Sequence, residues 1–455
     1  RSSDLERFEN MDTRRYGMRI KKLHLQNFRC YDSMDIDFEP GLTVIVGENG
    51  KGKTAIFDAL AIAMEPYLAS FGVTGKQISQ KDVRRIPIYM EDKKHIKSMQ
   101  SLYPVHIVME ACSSDGQRLI SERTLDEDSN VVENSGDLSA YGAAKNSAIA
   151  AGQPVILPVL AYYGTSRIWV DSHLNLYGTK ALEERGAGYE ECLEPSSSFH
   201  TFGRWFEQIT KCADKSEYSE LEERFCVIKD AIQLAINACM KSTGLRDIYF
   251  NHNLECFVVS HPDTGEMIVS DLSDGFRSII SMVADLAYRM VRLNPHVDAE
   301  TALKTPGIVL IDEIDMHLHP IWQQTIMGDL RSAFPEVQFI ITTHSPQVLS
   351  SVPSETVRVL HWGKQFEGVG RVEFSLGAES YQLLKSIQNV DPRPSTLPIV
   401  RKLYQYLGLV SQDKWDSKEA LALRKELDEW AKGNEPALLR ADMDIRMRAF
   451  RRNRS

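Results

Sequence analysis

The unbroken apolar run LTVIV, Leu42–Val46, followed directly by the polar loop GENGKGKT, predicts a strand covered on both faces and a sharp turn at its end. Upstream, MRIKKLHLQNF from Met18 and MDIDFE from Met34 alternate loosely between apolar and polar positions, which predicts two half-buried strands. Downstream, the Ala- and Leu-rich run from Lys53 to Phe71 predicts a helix that begins inside the Gly-rich loop. From Gly72 to about Gly152 the chain turns polar around short β-like runs such as VHIVMEA, the pattern of an insert with its own meander. ILPVLAYYG, Ile156–Gly164, returns as a buried strand, and amphipathic helical spacing occupies Phe199–Cys239.

The second half repeats the alternation of strand and helix. DIYFNHNLECFVVSH is β-rich and leads into DLSDGFRSIISMVADLAYRM, a turn followed by a helix. TPGIVLIDEIDMHLHP predicts a buried strand ending in acids, and VQFIITTHSP predicts another. A smaller β region runs from Pro353 to Phe374, the Pro-rich link Asp391–Pro398 marks a boundary, and the remainder is helical. The expected organisation is a polar extension over 1–17 and an α/β head over 18–390. That head carries an insert near 72–152 and a helical region near 196–245, and residues 391–455 form a C-terminal helical region.

Composition narrows the function classes. Of 455 residues, 43% are hydrophobic and 25% charged, and no apolar run reaches bilayer-spanning length, which argues against an integral membrane protein. The polar start lacks the apolar core of a secretory signal, and seven scattered cysteines without a CxxC pair fit a reducing cytoplasm. A net charge of -10 gives no global attraction to DNA, so such a role needs a local basic surface. The arginines between Arg440 and Arg454 offer one, read first as a solvated tail.

Four elements carry chemistry. Gly47-x4-Gly52-Lys53-Thr54 has the spacing of a phosphate loop: the backbone at Gly47, Asn49, Gly50 and Gly52 approaches phosphate oxygens, Lys53 pairs with the β and γ phosphates, and Thr54 ligates Mg²⁺. The strand Ile308–Ile311 delivers Asp312 to the magnesium shell and Glu313 to the attacking water. Leu272–Gly275 reads as a Ser-capped helix start, with Ser273 as the cap. His344 follows an apolar strand at the place where a γ-phosphate sensor is needed.

In this order the motifs resemble those of ABC-type ATPase heads of the SMC, RecF and OLD-like group over Met18–Val352. The resemblance implies an ABC-type P-loop head with a mixed central sheet, and an ATP sandwiched between two heads of a dimer or higher homo-oligomer. It assigns Gly47–Thr54 as Walker A, Leu272–Gly275 as signature, Asp312-Glu313 as Walker B with its catalytic acid, and His344 as switch histidine. Ser273 and Gly275 of one subunit would then cover the γ-phosphate held by Lys53 of the other, and Arg29 would approach the nucleotide. The glutamine loop of typical heads has no clear counterpart; YYGTSR, Tyr162–Arg167, occupies roughly its place. In the OLD-like group a run like DMHLHP belongs to the dimer-contacting loop, so Asp315 is expected at an intersubunit contact rather than His317 and His319 at a metal.

Asp442-Met443-Asp444 is the one late DxD, and its surroundings have helical spacing, so no Toprim nuclease is expected in the chain. A stand-alone ATPase with DEIDMHLHP, THSP and a short helical C-terminus is similar to the ATPase subunits of anti-phage systems, Septu first and PARIS as close rival. That similarity implies a separate nuclease subunit, of HNH type before Toprim type, docked on the helices after Pro398. The alternative is a RecF-like maintenance ATPase that clamps DNA when ATP is bound. A transporter motor shares only the motifs, and a nucleotide-gated scaffold with negligible turnover would have no use for Glu313.

Overall fold

A computed structural model describes residues 17–90, 95–165, 185–195, 220–251, 253–254, 256–361 and 368–452. Its centre is a six-stranded sheet in the order β16-β15-β3-β14-β13-β9. The strands are β3 (Leu42–Val46), β9 (Val159–Tyr163), β13 (Gly307–Ile311), β14 (Val337–Thr342), β15 (Val357–His361) and β16 (Gly368–Gly370). All neighbours are parallel except the edge pair β15–β16. Every residue of β3, β9, β13 and β14 is buried, as the unbroken apolar runs require of strands covered on both faces. Because these strands run the same way, their C-terminal ends meet at one edge, the place where open α/β sheets bind ligands.

A second, antiparallel sheet has the order β2-β1-β6-β7-β8. It is built from β1 (Arg19–Phe28), β2 (Tyr31–Asp37), β6 (Val105–Cys112), β7 (Arg118–Leu125) and β8 (Val131–Asn134). The polar insert therefore does not stand apart: β6 pairs with β1 from Arg19↔Cys112 to Gln26↔His106, and only β4 (Arg85–Tyr89) and β5 (Ile96–Ser101) form a separate ribbon. Gln338 on β14 ties the two sheets, its amide oxygen accepting from Ile20 N at 2.9 Å and its nitrogen donating to Ile20 O at 2.8 Å. A buried polar side chain that brackets a backbone in this way fixes both position and register.

Helix α1 (Lys53–Ala69) is apolar around almost its whole circumference and buried at Lys53 and from Ala55 to Leu68, as a helix packed on all sides must be, while Thr54 is exposed at its start. It passes Pro66 without ending. Against it packs α2 (Gly136–Ala150), while α3 (Glu220–Cys239) packs on α4 (Asp274–Leu293), on α5 (Ile326–Ala333) and on a three-stranded sheet of β10 (Arg246–Asn251), β11 (Cys256–His261) and β12 (Gly265–Ile268). Residues 196–219 of the helical region expected near 196–245, the extension before Gly17, and Ser166-Arg167 of the YYGTSR run lie outside the described residues.

The chain divides into compact units over 1–383 and 384–455. The second is a bundle of α6 (Pro398–Ser411), α7 (Lys418–Ala431) and α8 (Pro436–Arg452). Leu403, Tyr406, Val410, Ala420, Leu423, Leu427, Leu438 and Ala441 form its core. Asp442 and Asp444 sit on α8, where Arg424 and Arg448 hold them, so the DxD belongs to a helix.

Candidate functional site

The loop after β3 turns into α1 through two left-handed glycines, Gly50 at φ 77° and Gly52 at φ 85°. A Cβ on Gly52 would also lie 2.5 Å from Cys30 Sγ and 2.6 Å from Tyr31 Oη, so only glycine fits there. No side chain caps α1 at Gly52 and no acid lies in its first turn, which leaves the helix start open to an anion. Asn49 is exposed and Gly47 half-buried. Lys53 folds back over the loop, donating to Gly47 O at 2.8 Å and Glu48 O at 3.2 Å.

Three loops from neighbouring strand ends converge on Lys53 and Thr54. Thr54 Oγ1 donates to Asp312 Oδ2 at 2.7 Å, and the Lys53 ammonium donates to His344 Nε2 at 2.7 Å. With the ammonium as donor, His344 is neutral at that nitrogen. Burial, then the charge of Lys53, pushes its pKa below the ordinary value, in the same direction. Burial likewise lowers the Lys53 pKa, against the opposing pull of Asp312, Glu313 and Asp315.

One hydroxyl organises the acids. Thr342 Oγ1 donates to Asp312 Oδ1 at 2.5 Å and accepts from Glu313 N at 2.7 Å, while Asp312 N donates to Tyr163 O at 2.8 Å. Glu313 adopts φ 50°, uncommon for a residue with a Cβ, so the chain turns sharply immediately after Asp312. Asp315 Oδ1 accepts from Thr343 Oγ1 at 2.6 Å and from His344 N at 3.3 Å, anchoring the loop that carries the histidine. Thr342, Thr343 and this role of Asp315 were missed in the sequence, where the two hydroxyls before His344 in ITTHSP were the available signal.

The other expected residues fall elsewhere. Ser273 is the exposed N-cap of α4, and Gly275 is buried against the chain after β13, where a Cβ would lie 2.3 Å from His317 O. Phe276 stacks on Trp322 with ring centroids 4.5 Å apart, so the start of α4 is seated on the loop that follows Asp312-Glu313. Arg29 points to Asp82, with Nε at 2.9 Å and a second nitrogen at 2.8 Å, and to Asp58 on α1. Burial opposes its charge, but the two carboxylates raise its pKa above the ordinary value. His319 caps the turn Pro320–Gln323, its ring nitrogen accepting from Ile321 N at 3.4 Å.

The donor set fits a magnesium nucleotide. A hydroxyl and a carboxylate at Thr54 and Asp312 are the hard oxygens that Mg²⁺ prefers, and Lys53 rests on carbonyls and an imidazole that phosphate oxygens can displace. The candidate γ-phosphate sensor, His344, touches the same ammonium.

The AAA domain family model matches residues 22–224, and one described as AAA domain, putative AbiEii toxin, Type IV TA system matches residues 240–350. The chain is 24% identical to the Retron Ec83 probable ATPase of Escherichia coli, over 95% of this chain and 88% of that one. It is 26% identical to the Septu protein PtuA of Bacillus mycoides, over 77% of this chain and 42% of that one. Among solved structures, the SMC head domain from Thermotoga maritima overlays with a TM-score of 0.44 at 15% identity, covering 78% of this chain and 100% of that one.

Proposed function

We propose that this chain, an ABC-type ATPase of the SMC/RecF-like group, holds ATP and Mg²⁺ between two copies of its head and uses hydrolysis to time a separate nuclease in anti-phage defence. The observation that carries the reading is the meeting of Lys53, Thr54, Asp312 and His344 through hydrogen bonds of 2.7 Å at the C-terminal edge of the sheet. The names of the retron and Septu relatives support the defence setting.

Lys53 and the open start of α1 bind and orient the phosphates, and Thr54 with Asp312 would hold the magnesium ion. When bound, the ion would supply charge neutralisation on the phosphates. Glu313 accepts a proton from the attacking water, and Thr342 fixes that residue's backbone. His344 carries the state of the γ-phosphate to Asp315 and the loop after β13. Ser273 and Gly275 serve the phosphates of the opposite head, because the exposed start of α4 is held by its own chain against that loop. Arg29 reaches the nucleotide only by leaving Asp58 and Asp82. The helical unit 384–455 docks the nuclease, of HNH type before Toprim type, and the setting is cytoplasmic; among the described residues no helix is long and apolar enough to cross a membrane.

Replacing Glu313 by Gln keeps the shape and removes the base, so ATP turnover falls by about 10²–10⁴-fold with nucleotide affinity retained. Phosphate release and binding of a fluorescent ATP analogue measure the two. Unchanged turnover assigns the base elsewhere.

A further inference from the structure

Helix α8 has two apolar faces and its own bundle covers one of them. Leu438, Ala441 and Ile445 pack into the core formed with α6 and α7. At 3.6 residues per turn, Leu439, Met443, Met447 and Phe450 fall within about 80° on the roughly opposite side. All four are between 51% and 65% exposed. A helix apolar on opposite sides is normally enclosed, so the outer stripe has the form of a helix-in-groove anchor set, spaced i, i+4, i+8 and i+11.

The charges around the stripe say what kind of surface covers it. Arg446 and Arg440 flank the stripe on its two edges, each about 20° outside it at 3.6 residues per turn, and both are exposed. The acids of α8 are already engaged, Asp442 with Arg424 at 2.9 Å and Asp444 with Arg448 at 3.1 Å. Residues 384–455 carry fifteen Lys and Arg against ten Asp and Glu in a chain whose net charge is -10. A second copy is a poor occupant: a two-fold pairing of these stripes would bring the two Arg446 guanidinia together near the axis. A phosphate backbone would use the arginines but give four large apolar side chains nothing to pack on.

We infer that the outer face of α8 is the docking surface for the nuclease partner, which meets it with an apolar groove rimmed by carboxylates; this rests on the function proposed above. Arg440 and Arg446 set orientation and on-rate, and the apolar stripe supplies the buried core of the contact.

The experiment compares the full chain purified alone with the complex that a tagged chain recovers from its native host, both treated with hydrogen peroxide and read by peptide mass spectrometry. Met443 and Met447 are expected to oxidise about tenfold more slowly in the complex, whereas buried Met282 and Met290 stay slow in both. Arg446→Glu is expected to cut complex recovery about tenfold, and Met443→Glu to do the same without changing the melting temperature. A complex that forms with both methionines still fully reactive overturns the α8 assignment and leaves the proposed function standing. Protection that grows with concentration of the chain alone, or that follows added duplex DNA without the nuclease, also overturns it. If no nuclease co-elutes, the proposed function falls and this inference with it.

Discussion

Thr342 shows how much of the site depends on a residue that carries no chemistry of its own. Its hydroxyl donates to Asp312 and accepts from Glu313 N, so Thr342→Val removes the partner of a part-buried amide donor and of one carboxylate oxygen. The expected loss is about 1–3 kcal/mol of stability together with turnover, with Thr342→Ser restoring most of both. Denaturant titration and phosphate release measure the pair, and a fully stable, fully active Val variant would contradict the role. His344 adds a pH dependence. Burial and Lys53 hold its pKa below the ordinary 6.5, so the folded chain binds fewer protons there than the unfolded one. Its contribution is intact above that value and lost as pH falls through the folded pKa. Between about pH 7 and about pH 5.5 the melting temperature of the natural chain should therefore fall more steeply than that of His344→Asn; parallel curves would refute this. The motif residues were legible in the sequence because a phosphate loop and an acid at a strand end are local patterns. Thr342 and the bonds of Asp315 to Thr343 and His344 were not, because these partners come from loops that meet only in the folded sheet.

Among the elements, α4 joins two parts of the site. Its start sits beneath His317 at Gly275, and farther along Asp285 accepts from Tyr163 Oη at 2.8 Å and from Arg289 Nε at 2.9 Å. Tyr163 O in turn accepts the backbone N–H of Asp312, so a buried path runs from β13 through β9 to α4. Gly275→Ala tests the seat of that helix. Helix propensity favours Ala by about 1 kcal/mol. Crowding of a new methyl against a backbone oxygen costs about 1–3 kcal/mol and dominates. Turnover and melting temperature should both fall, and a gain of stability would mean that α4 moves freely off the loop. The buried strands were readable because parallel strands covered on both faces are apolar without interruption. The pairing of β6 with β1 was not, because cross-strand register depends on partners far apart in the chain.

At the scale of the whole molecule, the proposed function makes ATP a removable link between two heads. Gly275 is buried against its own loop while Ser273 faces outward, an arrangement suited to a second copy's phosphate loop. The most direct measurement is the mass of Glu313→Gln in solution, by mass photometry or sedimentation, with ATP and Mg²⁺, with ADP and Mg²⁺, and without nucleotide. The account predicts a larger assembly with ATP alone, abolished by adding Lys53→Ala or Ser273→Arg. A variant that binds ATP tightly and keeps the same mass in all three conditions would contradict it.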